Sequence, residues 1–143
     1  MKSGKTDWKA MREMATLARE YGELADTHRE LSEYWTKLSR AVQAGVIILS
    51  GVGTFVGSLP IDGTAKSVVG SCCSATTGVL SSIYVAFGLG KRGMKHDDVA
   101  TGFKSLEKSL RLEMLKPSWD ADDVLELIDF CETTREKLLK QIK

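Results

Sequence analysis

Two long uncharged segments, separated by a short connection, dominate the pattern of polar and apolar positions along this chain. The first covers residues 41–61 and the second residues 67–90, and the connection at residues 62–66 carries the only two charges between their outer ends. At about 1.5 Å of rise per residue, these segments form helices of roughly 31 and 36 Å, enough to cross a hydrocarbon core of about 30 Å. The pattern therefore predicts a membrane-embedded helical hairpin.

The arm that precedes the first segment, residues 1–40, carries a regular apolar seam among charged residues. Its apolar positions alternate at spacings of three and four, which is typical of a helix that packs a narrow stripe against a partner helix. No proline or turn cluster interrupts the arm, so arm and first span are expected to form one long helix. The predicted seam comprises Met14, Leu17, Tyr21, Leu24, His28, Leu31, Trp35 and Leu38.

Residues 91–143 form a C-terminal arm in which the pattern predicts two further amphipathic helices. The first is expected to begin at about Asp97, after a break at residues 91–93, and to end at Pro117. The second is expected to start near Asp120, where acidic residues suit the positive end of a helix dipole. The apolar side of the first helix comprises Val99, Phe103, Leu106 and Leu110.

These elements predict an all-α chain in a single domain, residues 1–143. A long N-terminal amphipathic helix continues into a two-helix transmembrane hairpin, and two amphipathic cytosolic helices follow. Basic residues flank both outer ends of the hairpin, whereas the turn has one charge of each sign. The positive-inside rule then places both termini on the cytoplasmic side. A soluble bundle that buries both apolar helices is the alternative.

Small residues recur through both spans at intervals that favour close helix packing. A ridge of such residues lets another backbone approach, which is the usual driving contact between helices in lipid. This packing is expected within the hairpin, between protomers, or both, and a homo-oligomer is predicted. The expected packing residues are Gly45, Gly53, Gly57, Gly70, Ser74, Gly78, Ser82, Ala86 and Gly90.

Hydroxyl groups within the spans allow two interpretations. They either bond within the hairpin, which we favour, or line a water-filled pore in an oligomer, with Thr54, Thr76 and Thr77 facing the lumen. Neither span contains an acidic or basic residue. That composition argues against proton relay, ion-coupled transport and a charged selectivity ring.

Composition and motifs argue against an enzyme. The net charge of +1 gives no field that would recruit nucleic acid, and the three cysteines lack metal-binding spacing. Phosphate-binding glycine loops and nucleophile motifs are missing, so we expect no catalytic residue, cofactor, metal or small-molecule substrate. The charged residues 1–40 do not fit a signal peptide, and the thiols are expected to be reduced and structurally quiet.

Two histidines are the remaining candidates for chemistry. His28 lies on the predicted seam and His96 follows the second span. As a pair they could form a metal site or a pH sensor. We favour separate roles for them, His28 packed in the seam and His96 at the membrane interface. The acidic pairs at residues 97–98 and 122–123 are interpreted as helix starts.

The order of these elements resembles the SLATT type of two-span membrane domain over about residues 20–140. The stretch His96-x3-Ala100-x2-Phe103-x2-Leu106, with Leu110 and Glu113 following, is similar to that family's segment after the second span. His28 with Tyr34 before Leu49-Ser50 is similar to its entry into the first. The resemblance implies a pore-forming membrane effector of the kind paired with nucleotide-signal systems in bacteria.

Small proteins of similar form also occur in large double-stranded DNA viruses, where an internal membrane is fastened beneath a capsid. Because the chain shows no sensor or catalytic domain, the first expectation is a structural role. It would be a minor virion protein that links a membrane to an overlying shell, with the bilayer and neighbouring structural proteins as partners. The alternatives are a SLATT-like pore former and a holin-like lesion former.

Overall fold

The computed structural model describes the backbone of residues 4–116 and 121–142, with side chains for residues 8–116 and 122–142. Helices make up nearly all of these ranges, which confirms the all-α fold class and the long N-terminal helix. The four helices are α1 (Gly4–Ser58), α2 (Gly63–Ala86), α3 (Leu89–Met114) and α4 (Ala121–Ile142). Pro117 and Asp120, the predicted stop and start of the two C-terminal helices, lie outside the described residues.

The break after the second span lies at a different place from the predicted one. A helix start near Asp97 is wrong, because α3 already begins at Leu89 and includes residues 91–93. The chain instead breaks at Gly88, whose φ of +54° is in the left-handed region that glycine adopts without a steric penalty. The Gly88 carbonyl then accepts a hydrogen bond of 3.0 Å from the amide N–H of Arg92, and this bond starts the next helix. The turn of the hairpin likewise shifts, since α2 begins at Gly63.

The described chain divides into two compact units. The bundle unit contains residues 4–32, 94–116 and 121–142, and the hairpin unit contains residues 33–93. Each unit has its own internal packing.

In the bundle unit, α1, α3 and α4 enclose an apolar core. Tyr21 and Phe103 are fully buried there, and their rings stack with centroids 5.9 Å apart. An ion pair of 3.2 Å between Arg135 and Glu20 joins α4 to α1 at the edge of this core. The core residues are Met14, Ala18, Tyr21, Ala25, Val99, Phe103, Leu106, Leu110, Val124 and Cys131.

The buried face of α1 includes Met14, Tyr21 and His28 of the predicted seam, but the leucine positions between them are displaced by one residue. Ala18 and Ala25 are almost completely buried, whereas the preceding Leu17 and Leu24 are only partly buried. The same shift buries Ser32 and leaves Leu31 exposed. At these displaced positions, small residues therefore face the partner helices and leucines lie at the margin of the contact, an arrangement that lets helices approach closely.

In the hairpin unit, the contacts between α1 and α2 define an antiparallel register. Gln43 Nε2 donates a hydrogen bond of 2.9 Å to Tyr84 Oη. A Cβ on Gly45 would lie 3.5 Å from Leu80, and one on Gly53 would lie 3.4 Å from Cys73. The residue numbers in each contact add up to between 125 and 127, so one antiparallel register holds along the pair.

Two helical stretches of the described chain are long and apolar enough to cross a membrane, one within residues 8–58 and one within residues 63–114. In the core helix of a soluble protein such a stretch would be mostly buried. Here none of the apolar window in the first stretch and only 6% of that in the second is buried. No residue of α2 is buried.

Candidate functional site

The predicted packing glycines of the first span face the second span. Gly45 lies against Leu80 and Gly53 against Cys73, at distances where an added Cβ would already be in contact or slightly crowded. Larger side chains at these two positions would push the helices apart. Both glycines therefore bring the two helices of the hairpin together.

The predicted packing residues of the second span have different surroundings. Added Cβ atoms on Gly70 and Gly78 would meet nothing within 4 Å, and the same holds for Gly57 on α1. Gly90 is different, because its Cβ would lie 2.9 Å from Tyr84 Oη. The exposed remainder of the predicted ridge consists of Ser74, Ser82 and Ala86. Most of the ridge on α2 thus lies outside the close contact with α1.

A groove of about 560 Å³ runs along the hairpin unit between its two helices. Its lining combines glycines with hydroxyl groups. Thr54 Oγ1 donates to the Ser50 carbonyl at 3.0 Å, whereas Thr77 Oγ1 is shielded and has no hydrogen-bond partner among the described residues. The lining residues are Leu49, Ser50, Gly53, Thr54, Gly70, Cys73, Ser74, Thr77 and Gly78. The hairpin therefore has a polar stripe within an apolar surface.

Aromatic and basic residues cluster at the open end of the hairpin unit, away from the turn. The Arg92 guanidinium lies 5.3 Å from the centroid of the Trp35 ring, a cation–π contact. Tyr34 meets the same ring edge-on at 5.6 Å. Residues of this type are enriched where a helix leaves the hydrocarbon region.

The bundle unit brings the two histidines of the chain into direct contact. His28 Nδ1 and His96 Nδ1 lie 3.1 Å apart, and the rings stack with centroids separated by 5.3 Å. His28 is 9% exposed, and its other face stacks on Phe103 at 5.9 Å. The sequence interpretation assigned separate roles to these histidines, whereas the structure pairs them.

Protonation alters this contact in a defined way. A hydrogen bond between two Nδ1 atoms needs one ring that donates and one that accepts. If both rings are protonated, two N–H groups face each other and the bond is lost. Burial, and then the nearby His96, lower the pKa of His28. The pair is therefore sensitive to pH, and neutral His28 is the form that the bundle favours.

Glu107 forms a second polar cluster in the bundle unit. This carboxylate is 6% exposed and accepts a hydrogen bond of 2.8 Å from Arg111 Nε, while Lys104 Nζ lies 2.7 Å away. These contacts, with Lys104 the strongest, lower the pKa of Glu107. Gly22 of α1 leaves room for the carboxylate, because a Cβ there would lie 3.3 Å from Glu107 Cδ. The arrangement keeps the charged carboxylate of Glu107 buried where α3 meets α1.

The described residues contain no cluster of three or more His, Cys, Asp or Glu side chains that could hold a metal ion. Among the thiols, Cys131 is fully buried and burial raises its pKa, which keeps it protonated. No protein-family model, curated protein or solved structure matches this chain. The resemblance to the SLATT type therefore stays a prediction.

Proposed function

We propose that this chain is a non-enzymatic, self-associating membrane protein with an anchoring role. The observation that supports it best is the unburied surface of the hairpin unit, where large apolar side chains face outward along both helices. Exposed patches of more than a few hundred Å² are rare on soluble monomers. The exposed residues include Ile47, Ile48, Val52, Phe55, Val68, Val79, Ile83 and Val85. In a bilayer, lipid chains would cover these apolar side chains and keep them out of water.

Self-association is supported by the small residues that the hairpin does not use internally. Gly70 and Gly78 lie in open space on α2, with exposed Ser74 between them. In lipid, a face of this kind gains van der Waals contacts only when another helix packs on it. A second copy of the hairpin offers the same face and completes a symmetric contact.

Anchoring of other proteins is supported by the bundle unit, which keeps several large apolar side chains outside its own core. Trp8, Leu115, Leu125 and Phe130 are each more than half exposed. Residues of this type are favoured in protein–protein contacts. A place in a virion, between an internal membrane and a protein shell, is one setting for such an anchor and stays a prediction from the sequence.

A pore-forming effector is the second candidate, and the groove of the hairpin unit supports it. Ser50, Thr54 and Thr77 contribute hydroxyls to this groove, and Thr77 Oγ1 has no partner among the described residues. Several hairpins with their grooves turned inward would surround a polar path. Thr76, also predicted to face a lumen, bonds instead to the Cys72 carbonyl at 2.9 Å and lies outside this groove.

The first test is flotation of the reconstituted protein with liposomes. The wild-type chain is expected to float and to resist extraction at high pH. A variant with Val52→Arg and Val79→Arg should not insert, because each central arginine costs about 2.5–3.5 kcal/mol in a membrane helix. Leu112→Arg, on an exposed position of the bundle unit, is the matched control and should float. A wild-type chain that stays in the soluble fraction would rule out the proposed anchor.

Dye release from the same vesicles separates the anchor from the pore former. Inserted protein that leaves the vesicles tight supports the anchor. Release of dye that is lost in Thr77→Val, and kept in Thr76→Val, supports the pore and assigns it to the groove. The two threonines are neighbours on α2, so the pair controls for the loss of a hydroxyl group in the span.

A further inference from the structure

The open end of the hairpin unit carries four basic residues at nearly the same level. In the register of the hairpin, the contact between Trp35 and Arg92 places residues 35–40 of α1 beside residues 87–92. Lys37, Arg40, Lys91 and Arg92 therefore lie within about 8 Å of one another along the helix axes. We call these four residues the basic belt.

The charge at this end of the unit is strongly unbalanced. Glu33 is the one acidic residue in the described segments 33–40 and 91–93, and it pairs with Lys37 at 3.7 Å. Four cations and one carboxylate leave a net charge of +3. The turn at the other end has Asp62 and Lys66, whose charges cancel. The two ends of the hairpin thus present different charge to their surroundings.

Arg92 is positioned to bind an anion. The Trp35 ring supports its guanidinium at 5.3 Å, and no carboxylate of the described chain forms an ion pair with Arg92, Arg40 or Lys91. A guanidinium has a planar set of N–H donors that matches the oxygens of a phosphate group. Its donors are therefore open to an acceptor that the described part of the chain does not supply.

We propose that the basic belt binds the phosphate groups of anionic phospholipids, with Arg92 over Trp35 as its central contact. This inference rests on the proposed membrane function, which places the belt at the headgroup level of one leaflet. Between the belt and the turn, residues 41–58 of α1 rise by about 27 Å, close to the thickness of a hydrocarbon core. Exposed Tyr34 and Phe87 lie at the same end, as expected for an aromatic girdle.

Quenching of Trp35 fluorescence by brominated lipids tests the proposal. The chain has three tryptophans, so Trp8→Phe and Trp119→Phe leave Trp35 as the only one. This parent protein is reconstituted in phosphatidylcholine vesicles. An equal small fraction of the lipid is then either brominated phosphatidylglycerol or brominated phosphatidylcholine. We expect the anionic lipid to be enriched around Trp35 by about fivefold, the contribution of one basic residue at an anionic surface.

Substitutions in the belt assign the effect to residues. Arg92→Gln with Lys91→Gln should reduce the preference for the anionic lipid to nearly one. Lys66→Gln with Lys108→Gln removes the same charge from the turn and from the bundle unit, and should keep the preference. Because the Debye length falls to about 3 Å at 1 M salt, high salt should weaken the preference of the parent.

The outcomes distinguish this proposal from the function on which it rests. Equal quenching by both brominated lipids would overturn anionic-lipid binding while leaving Trp35 in the bilayer. A preference that is undiminished in Arg92→Gln with Lys91→Gln would overturn Arg92 as the central contact of the basic belt. Absence of quenching by either lipid would place Trp35 outside the bilayer and contradict the proposed membrane anchor itself.

Discussion

The bundle unit and the hairpin unit are both built from long helices, but they place their apolar side chains on opposite sides. In the bundle unit, Tyr21, Phe103 and Leu110 are enclosed completely. In the hairpin unit, Phe55 and Val79 are each about three-fifths exposed, and α2 buries none of its residues. Helix length alone would not separate the two units. The direction of their apolar side chains does.

If the hairpin unit lies in a membrane as proposed, a different force holds each unit together. The bundle gains stability by removing apolar surface from water, so large side chains occupy its core. In the proposed membrane setting, lipid offers no such gain between the hairpin helices, and close approach of their backbones takes its place. Gly45 and Gly53 provide that approach in the hairpin. Substitutions that act on one force should therefore affect one unit far more than the other.

The largest expected effect comes from emptying the bundle core. Phe103→Ala removes a fully buried ring that stacks on Tyr21 and His28, and should destabilise the bundle by about 3–5 kcal/mol. Phe55→Ala, at a position that is 64% exposed, is the matched change in the hairpin and should leave the bundle unaffected. Hydrogen exchange of bundle amides in detergent micelles measures both. Equal losses of protection would contradict the division into units.

A second prediction separates the two faces of the hairpin. Gly53→Leu adds a side chain where even a Cβ would lie 3.4 Å from Cys73, so it should destabilise the hairpin by about 1–3 kcal/mol. Gly78→Leu enters open space and should leave the single hairpin intact while changing self-association. Hydrogen exchange of the spans reports the first effect, and crosslinking in micelles the second. Reversed results would exchange the internal and external faces.

A third prediction concerns the break between α2 and α3. Gly88→Ala forces a side chain onto a residue with φ of +54° and should cost about 1–2 kcal/mol. Gly51→Ala is the control, since this glycine lies inside α1 with nothing within 4 Å. It should stabilise the hairpin by up to about 1 kcal/mol, because alanine is the better helix former. The two substitutions should therefore shift the unfolding midpoint in micelles in opposite directions.

The sequence predicted the helical elements well where charge and hydrophobic spacing leave few choices. The uncharged segments located both helices of the hairpin unit, and the stripe of Val99, Phe103, Leu106 and Leu110 is entirely buried in the bundle. The break at Gly88 was not predicted, because the spans contain many glycines and their spacing does not reveal which one adopts a positive φ. Lys91, Arg92 and Gly93 resembled an exit signal, but they belong to the first turns of α3.

Details of the candidate sites depend on how helices meet, which a single sequence does not encode locally. Leu17 and Leu24 are seven residues apart, and so are Ala18 and Ala25. The spacing therefore cannot say which of the two series faces the partner helix. Hydrophobicity favoured the leucine, and close packing buries the alanine. The contact between His28 and His96 likewise requires the register between α1 and α3, and their positions on two predicted stripes were the only signal.

The smallest expected effect is a pH dependence confined to the bundle unit, which contains both histidines. Burial and His96 lower the pKa of His28 from the 6.5 of an unfolded chain, so the folded bundle favours the neutral ring. Its contribution to stability is complete above pH 6.5 and is lost as the pH falls through the lowered pKa. For one proton, the slope is at most about 1.4 kcal/mol per pH unit.

Glu107 also has a lowered pKa, but its contribution decreases only below the usual value of 4.5, so a slope just under pH 6.5 belongs to the histidines. Hydrogen exchange of bundle amides, corrected for intrinsic exchange at each pH, measures this slope. His28→Phe should flatten it and His96→Asn should reduce it, because burial of His28 remains. An unchanged slope in His28→Phe would show that the histidine pair does not couple the bundle to pH. The hairpin amides should show no such slope and serve as the internal control.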